Sequence, residues 1–273
     1  MFKKFLEKRK EKKFNRIVED IKSIKIQGAR NIAKKALYAY TLFFTKTAKE
    51  KLVNARPTEP LLSNTLNYFA KFGHKKTLDH FDFSQEKINN SILKIIKNNS
   101  VIFTHCHSSS VVSALIFAKK QGKHFEVYNT ETRPLFQGRK TAKELSKAGI
   151  KITNFVDSAA RIALTKSQNT KKANLVLFGA DAILKTGAIN KVGSGMFAEI
   201  AFANKIPVYI LADSWKFTKH VKLEQRSFNE VWKKAGRNIK IENPAFEFIP
   251  KKYISGIISE FGILSFDKFL NKT

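Results

Sequence analysis

The chain has 273 residues, of which 43% are hydrophobic and 27% are charged, the composition of an ordinary globular protein. That length suits one large or two modest domains with a sizeable core. No apolar run reaches the roughly 18 residues of a membrane span, and no secretory signal peptide is recognisable. The single cysteine cannot form an internal disulfide, so we expect a cytoplasmic protein with no membrane partner.

The formal net charge of +29 has two interpretations. A polyanionic partner, either nucleic acid or a phosphorylated metabolite, would explain it. The alternative is a solvated lysine surface without a dedicated partner. Lysines are spread along the whole chain and no nucleic-acid-binding motif accompanies them, so the alternative is favoured and a nucleic-acid partner is not expected. A dense basic cluster occurs only within the first 13 residues.

Helical patterns dominate the first hundred residues or so. The opening segment predicts an amphipathic helix that packs onto its own domain. Its expected apolar side consists of Phe2, Phe5, Phe14, Ile17, Val18 and Ile21. Further helices are predicted over residues 31–44, 59–72 and 83–98, the second of them after the turn that Pro57 fixes.

From residue 100 onward the pattern changes to apolar runs rich in β-branched and aromatic residues, separated by helix-length segments. The predicted strands are residues 100–104, 125–129, 150–156, 175–178 and 207–211. Such alternation is typical of successive βα units in a parallel sheet. We therefore predict an α/β protein with a helical N-terminal domain, residues 1–98, and a Rossmann-like catalytic domain with a parallel sheet, residues 99–273.

Each predicted strand is followed by a polar residue whose side chain can take part in a reaction. These residues are Cys106, Arg133, Asp157, Asp181 and Asp213. In open parallel sheets, ligands bind beyond the carboxyl ends of the strands. All five residues are therefore predicted at the one sheet edge where a reaction site is expected.

Cys106 has a purely structural interpretation and a chemical one. A free cysteine is most often a small buried apolar side chain. This one precedes a predicted helix, whose start lowers a thiol pKa and favours proton transfer or nucleophilic attack. His105 and His107 flank it, but no second Cys/His pair with zinc-ligand spacing exists, so no metal is expected. Asp181 is similarly either a general acid/base or the cap of the next turn.

Three segments contain groups that are suited to bind phosphate. Gly28 and Arg30 lie at the start of a predicted helix, and Arg56 lies on a proline-fixed turn. Glycines predict flexible backbone around an Asn-Lys pair in residues 187–194, which lacks the residue order of a Walker loop. Backbone N–H groups, arginine and lysine all suit phosphate. The alternative for the Gly28 segment is an ordinary turn, and the alternative for Arg56 is a surface salt bridge.

Taken together, the motifs resemble one superfamily. They are Thr104-His105-Cys106, Glu131-Thr132-Arg133-Pro134, Gln137-Gly138, Asp157-Ser158-Ala159-Ala160-Arg161, Gly179-Ala180-Asp181, Asn190-Lys191-Val192-Gly193, Ser214-Trp215-Lys216-Phe217 and Asn243-Pro244-Ala245-Phe246. That superfamily contains the α, β and δ subunits of translation initiation factor 2B and the sugar-1-phosphate isomerases. In this order and spacing the motifs look closest to the archaeal ribose-1,5-bisphosphate isomerases.

The resemblance implies an aldose–ketose isomerase of nucleotide salvage and AMP degradation that converts ribose 1,5-bisphosphate to ribulose 1,5-bisphosphate without a cofactor. It implies that Cys106 and Asp181 are the catalytic pair, which the initiation-factor subunits typically lack. The implied substrate-binding residues are Gly28, Ala29, Arg30, Arg56, Ser108, Ser109, Ser110, Arg133, Asn190, Lys191 and Lys216. The implied partners are a phosphorylated sugar, further copies of the chain in a dimer or hexamer, and an optional nucleotide activator.

Two departures and two alternatives accompany the resemblance. Gln27 stands where the enzymes usually carry an arginine, so Arg30 is the candidate to take over that phosphate contact, and His107 stands where asparagine is usual. The alternatives are a non-catalytic regulatory protein like the initiation-factor subunits and a methylthioribose-1-phosphate isomerase.

Overall fold

Four helices precede the first strand in the computed structural model, which describes residues 2–167 and 169–273. They are α1 (Phe2–Lys22), α2 (Ala29–Leu42), α3 (Lys46–Ala55) and α4 (Pro60–Ile92). The sequence pattern did not predict α3, a helix that Thr45 caps by accepting the Ala48 N–H at 3.1 Å. The pattern predicted two helices in the region of α4, the first ending at residue 72; the backbone is indeed non-helical at Gly73 (φ 81°, ψ 177°), where α4 bends, but residues 74–82 are helical as well.

The first three helices share a core with the beginning of α4. Phe14, Ile17 and Ile21 on α1 are buried against apolar side chains of α2, as the amphipathic pattern predicts. Phe5 does not follow that pattern, because its side chain is 62% exposed. The basic N-terminal part of α1 therefore extends beyond the packed body, and only the later turns of the helix bury apolar surface.

The remainder of the chain alternates strands and helices. The strands are β1 (Ser100–Thr104), β2 (Phe125–Thr130), β3 (Lys151–Phe155), β4 (Leu175–Phe178), β5 (Ala182–Leu184), β6 (Gly187–Lys191), β7 (Val208–Leu211), β8 (Phe246–Pro250), β9 (Gly256–Ser259) and β10 (Gly262–Leu264). The helices are α5 (Ser109–Lys120), α6 (Gln137–Lys147), α7 (Ala160–Leu164), α8 (Ser194–Ala203) and α9 (Phe266–Leu270). All five predicted strands are present within one or two residues of their predicted bounds.

The main sheet has the strand order β10-β9-β7-β4-β1-β2-β3, and every pairing except β9 with β10 is parallel. From β1 the chain moves outward through β2 to β3, and from β4 it moves outward the other way through β7 to β9. The direction of winding therefore reverses between β1 and β4. In open α/β sheets, a crevice for ligands forms at this switch point.

Helices cover both faces of the main sheet, as a buried parallel sheet requires. One face packs against α5, α6 and the second half of α4, and the other packs against α7, α8 and α9. The predicted fold class is confirmed: an α/β protein with a helical N-terminal region and a Rossmann-like sheet. The division into domains near residue 99 stays a proposal, because α4 contributes to the cores on both sides of it.

A second, antiparallel sheet of three strands, in the order β5-β6-β8, lies beside the carboxyl edge of the main sheet. The sequence pattern predicted flexible backbone over residues 187–194. Residues of β6 are instead hydrogen-bonded on both sides, with Asn190 opposite Glu247 and Lys191 opposite Phe246. The Asn-Lys pair is therefore presented by a strand end. No helix within the described residues is both long and apolar enough to cross a membrane.

Substitution of Gly73 by alanine tests the bend in α4. A Cβ at this position meets no atom within 4 Å, so the cost comes from the backbone conformation, which only glycine adopts readily. We expect Gly73→Ala to lower the free energy of unfolding by about 1–3 kcal/mol, measured by urea denaturation. Lys71→Ala, at an exposed position of the same helix, should change it by less than about 0.5 kcal/mol. Equal effects of the two substitutions would contradict the bend.

Candidate active site

Cys106 lies two residues beyond β1, beside the switch point, with its backbone in the left-handed region at φ 66°. Residues other than glycine rarely adopt this conformation unless their surroundings hold it. Two threonines do so here. The Cys106 N–H donates to Thr132 Oγ1 at 3.0 Å, and Thr141 Oγ1 donates to the Cys106 carbonyl at 2.8 Å. The thiol is therefore presented by a braced turn.

The segment that carries Thr132 is held in turn by Asp157. One carboxylate oxygen of Asp157 accepts the Thr132 N–H at 2.8 Å, and the other accepts the Arg133 N–H at 2.6 Å. Hydrogen bonds to an ionised acceptor are among the stronger ones in proteins. Asp157, which the sequence placed at the same sheet edge, thus positions Cys106 through Thr132.

His105 braces the turn from the other side and is buried. Its Nε2 lies 2.9 Å from the Val192 carbonyl oxygen, which only accepts, and its Nδ1 is hydrogen-bonded to the Thr130 hydroxyl. Burial lowers the pKa of His105 to about 4, so the ring is neutral near pH 7 and donates from Nε2. Both ring nitrogens form hydrogen bonds within the protein, and His105 therefore stabilises the conformation of the turn.

The thiol of Cys106 opens to the pocket but is surrounded by protein on its other sides. Burial, followed by the nearby Asp181 carboxyl, raises the pKa of Cys106 to about 12. The prediction that the helix start lowers this pKa is wrong, because loss of solvent around a thiolate outweighs the partial charge of the helix terminus. The free protein therefore holds Cys106 as a neutral thiol that carries a proton.

Asp181 follows β4 on the opposite side of the switch point and meets a second carboxyl group, that of Glu59. Glu59 is 4% exposed and lies at the start of α4. Burial, followed by Asp181, raises the pKa of Glu59 to about 8, and burial raises the pKa of Asp181. Sequence analysis missed Glu59, because a glutamate that precedes a helix is ordinarily a solvated residue near the helix dipole.

Two lysines place positive charge beside these carboxyl groups. Lys191 ends β6 and Lys216 ends a 3-10 turn after β7, and each is 7% exposed. Lys216 Nζ donates to the Ala180 carbonyl, and burial lowers the pKa of Lys191. Among the described residues, neither ammonium group has a carboxylate within 4.0 Å. Buried charges are normally paired, so the pocket is suited to an anionic ligand.

The arginines of the pocket are already partly neutralised. Arg56 Nη1 contacts Glu224 Oε2 at 2.8 Å, and Arg30 Nη2 contacts Asp82 Oδ1 at 2.9 Å. The Nε of Arg56 nevertheless remains buried without an acceptor among the described residues. That N–H is therefore a donor behind the pocket wall without a partner among the residues described, whereas Arg30 contributes to the wall while bound to Asp82.

Two helix N-termini also open into the pocket. The N-cap of α2 is Gly28 (φ 84°), which offers no side chain to the first N–H groups of the helix. Ser108 is the N-cap of α5, and Ser109 and Ser110 are its first residues; all three line the pocket. Free N–H groups and the helix dipole make such termini favourable for phosphate.

One pocket at the switch point brings together nearly all the predicted site residues. It is lined by Gly28, Ala29, Arg30, Arg56, Cys106, Ser108, Ser109, Ser110, Asp181, Asn190, Lys191 and Lys216. Arg133 does not line it; its guanidinium is exposed, lies over the Phe136 ring and reaches the Val231 carbonyl at 3.4 Å. The binding role of Arg133 therefore stays a prediction that the pocket itself does not support.

The segment between β7 and β8 supplies wall residues that the sequence pattern did not reveal. Arg226 and Glu230 line the pocket and form an ion pair at 2.5 Å. The same segment is tied to the N-terminal region, because Thr58 Oγ1 donates to the Lys222 carbonyl at 2.8 Å. No periodic pattern marked these residues, since the segment contains little regular structure.

Within residues 2–167 and 169–273, one group of side chains has the spacing of metal ligands: His80, Asp213 and Glu260. Their atoms already have protein partners. Asp213 Oδ1 contacts His80 Nε2 at 3.0 Å and the Trp215 N–H at 2.9 Å, and Glu260 accepts the Ser214 N–H. The imidazole of His80 is also stacked on the Trp215 ring. This cluster links α4 to the ends of β7 and β9.

Comparison with known proteins shows the family to which the chain is related. The model of the initiation factor 2 subunit family matches residues 44–266. Ribose 1,5-bisphosphate isomerase of Methanocaldococcus jannaschii is 34% identical, over 90% of this chain and 89% of the relative. Methylthioribose-1-phosphate isomerase of Fervidobacterium nodosum is 30% identical, over 88% of this chain and 78% of the relative. The crystal structure of translation initiation factor eIF-2B from Pyrococcus horikoshii superposes with a TM-score of 0.81 at 26% identity and covers 92% of this chain and 96% of that one.

Alkylation of Cys106 tests the raised thiol pKa. At pH 8 a thiol with a pKa of about 12 is ~0.01% thiolate, so iodoacetamide should react at least about tenfold more slowly than with N-acetylcysteine. The rate should keep rising about tenfold per pH unit up to pH 10, whereas the free thiol levels off. Cys106→Ser is the blank, since the chain has one cysteine. An alkylation rate that levels off below pH 9 would show that burial does not determine the pKa of the Cys106 thiol.

Proposed function

The chain belongs to the initiation factor 2 subunit family and is one of its isomerases, and we propose that its substrate is ribose 1,5-bisphosphate, which it converts to ribulose 1,5-bisphosphate. The observation that carries this proposal is the pocket that Cys106 and Asp181 share with two buried lysines, neither of which has a carboxylate partner in the described part of the chain. Two proton-handling groups beside uncompensated positive charge suit the isomerisation of a phosphorylated sugar.

The charge distribution supports a substrate with two phosphates. The α2 terminus, the Arg56 Nε and the α5 terminus with its serines all belong to the wall of the pocket. Lys191 and Lys216 add positive charge near Asp181. Each of these features favours an oxyanion, and a single phosphate would leave part of them unused. The ribose 1,5-bisphosphate isomerase relative supports the same substrate.

The chemistry requires two proton transfers. An aldose whose anomeric oxygen is phosphorylated does not open its ring spontaneously, so the enzyme must protonate the ring oxygen as the C1–O bond breaks. Hydrogen then moves from C2 to C1, and the C2 hydroxyl loses its proton to become the ketone. The neutral thiol of Cys106 carries a proton, and Asp181 lies among groups that exchange one. Each such group contributes about 10²–10⁴-fold to the rate.

An oligomer is part of the same proposal. Met196 and Phe202 on α8 and Phe248 on β8 are exposed apolar side chains, at 44%, 56% and 39%. Apolar surface of this kind marks interaction sites. A second copy of the chain would cover it, in the dimer or hexamer expected from the sequence.

Substitution of the catalytic pair tests the proposed roles. We expect Cys106→Ser and Asp181→Asn each to lower kcat by at least about 100-fold while changing the binding of ribose 1,5-bisphosphate by less than about tenfold, because the lost interactions act in the transition state. Stopped assays for the ketose give kcat, and calorimetric titration gives the affinity. A near-normal kcat in either variant removes that residue from the mechanism. A wild-type protein that binds the sugar without turnover would instead be a regulatory relative of the initiation-factor subunits.

Competition between substrates tests the bisphosphate. With both sugars present, ribose 1,5-bisphosphate should be consumed with a kcat/KM at least about tenfold above that of methylthioribose 1-phosphate, since its second phosphate adds charge-assisted hydrogen bonds. Arg56→Lys should reduce this preference, because lysine lacks an Nε–H in that position. Faster turnover of methylthioribose 1-phosphate would assign the chain to the other isomerase activity.

A further inference from the structure

Glu59 is a buried carboxyl group for which the fold provides no structural task. It occupies the N-cap position of α4 but makes no capping hydrogen bond. It has no ion pair among the described residues, although Arg56 is close enough to influence it. One of its oxygens, Oε2, is buried and receives no N–H or O–H donor within the described part of the chain. An ionised carboxylate in such a position is costly.

The neighbours of Glu59 account for its burial. Its side chain lines the same pocket as that of Asp181 and is close enough to form a hydrogen bond with it once one of the two carboxyl groups is protonated. Two carboxyl groups in contact cannot both be ionised without strong repulsion, so the pair holds one proton between them. The charged groups that act on the pair are Lys216 and Arg56, with Lys191 acting on Asp181. All three cations stabilise the ionised form of a carboxyl group.

The asymmetry of the pair decides which member carries the proton. Glu59 is 4% exposed and its Oε2 has no donor among the described residues, whereas Asp181 is only half-buried and lines the pocket together with Lys191. The better solvated Asp181 therefore holds the negative charge and Glu59 holds the proton. Lys191 favours ionisation at Asp181 in addition. A neutral Glu59 removes the uncompensated buried charge, and its O–H becomes the donor that Asp181 needs.

We infer that Glu59 is a positioning residue for the isomerase reaction: as a neutral carboxylic acid it donates a hydrogen bond to Asp181, orients that side chain toward the sugar and keeps it ionised so that it accepts the substrate proton. This inference rests on the proposed function for its catalytic part only. The shared proton is a property of the free protein and is measurable without a substrate.

The first experiment counts protons on unfolding. Near pH 6.5 a folded Glu59 is protonated and an unfolded one is ionised, because the folded pKa of about 8 lies above the ordinary value of 4.5. Unfolding therefore releases about one proton from this group, measured by calorimetry in buffers of different ionisation enthalpy. Glu59→Gln should reduce the release by about one proton per chain. Glu50→Gln, at an exposed position of α3, is the control and should leave it unchanged. An unchanged release in Glu59→Gln would overturn the inference.

The second experiment follows the pH dependence of turnover. The wild-type kcat/KM, which reports ionisations of the free protein, should fall above about pH 8, when Glu59 ionises and ceases to donate to Asp181. Glu59→Ala should lower kcat about tenfold or more with little change in KM, and Glu59→Gln, which keeps a neutral donor, should recover most of that loss and remove the alkaline fall. A Glu59→Gln profile with the wild-type alkaline fall, or a fully active Glu59→Ala, would contradict the inference.

The two experiments separate this inference from the proposed function. If the wild-type protein shows no turnover but Glu59→Gln releases about one proton fewer on unfolding, the carboxyl pair is supported and the isomerase assignment is refuted. If the wild-type protein is active but Glu59→Gln releases as many protons on unfolding as the wild type, the isomerase assignment is supported and the role of Glu59 is refuted.

Discussion

Burial of charge at the switch point between β1 and β4 is the constraint on which the site depends. Asp181, Lys191 and Lys216 come together there because three strands or turns end at the same edge. Their solvation is reduced, so their charges must be balanced by neighbours or by a ligand. The helical N-terminal region adds to this edge the protonated carboxyl group of Glu59 and the cation Arg56, both of which act on Asp181. The attachment of that region to the sheet is therefore a requirement of the chemistry as well as of packing.

The fold could be predicted from the sequence to the extent that burial leaves a periodic signal. Four of the five predicted strands, β1, β2, β4 and β7, are largely buried and rich in β-branched and aromatic residues, which is why the pattern revealed them. Their chain order with intervening helices predicted the parallel sheet. The edge position of Cys106 and Asp181 followed from the same pattern, because each comes directly after a strand. The proposed phosphate-binding segments at Gly28 and Arg56 also converge on that edge.

What the sequence could not predict depends on contacts between distant segments. The thiol pKa of Cys106 rises because the surrounding chain excludes water, and only the packed structure determines that. The role of Glu59 depends on Asp181, which lies far away in the sequence. The strand β6 looked like a flexible glycine-containing loop because its partner β8 is also distant in the chain. Phe5 followed the helical period of α1, yet no neighbouring segment reaches it.

The account is tested most directly by carbon-13 NMR of ribose 1,5-bisphosphate labelled at C2 and incubated with the purified protein. The pocket geometry predicts that the C2 alcohol resonance is replaced by the ketone resonance of ribulose 1,5-bisphosphate, while both phosphorus resonances of the sugar shift on binding. A sugar whose phosphorus resonances shift but whose C2 remains an alcohol would contradict the central claim, since the pocket would then bind phosphate without carrying out the isomerisation.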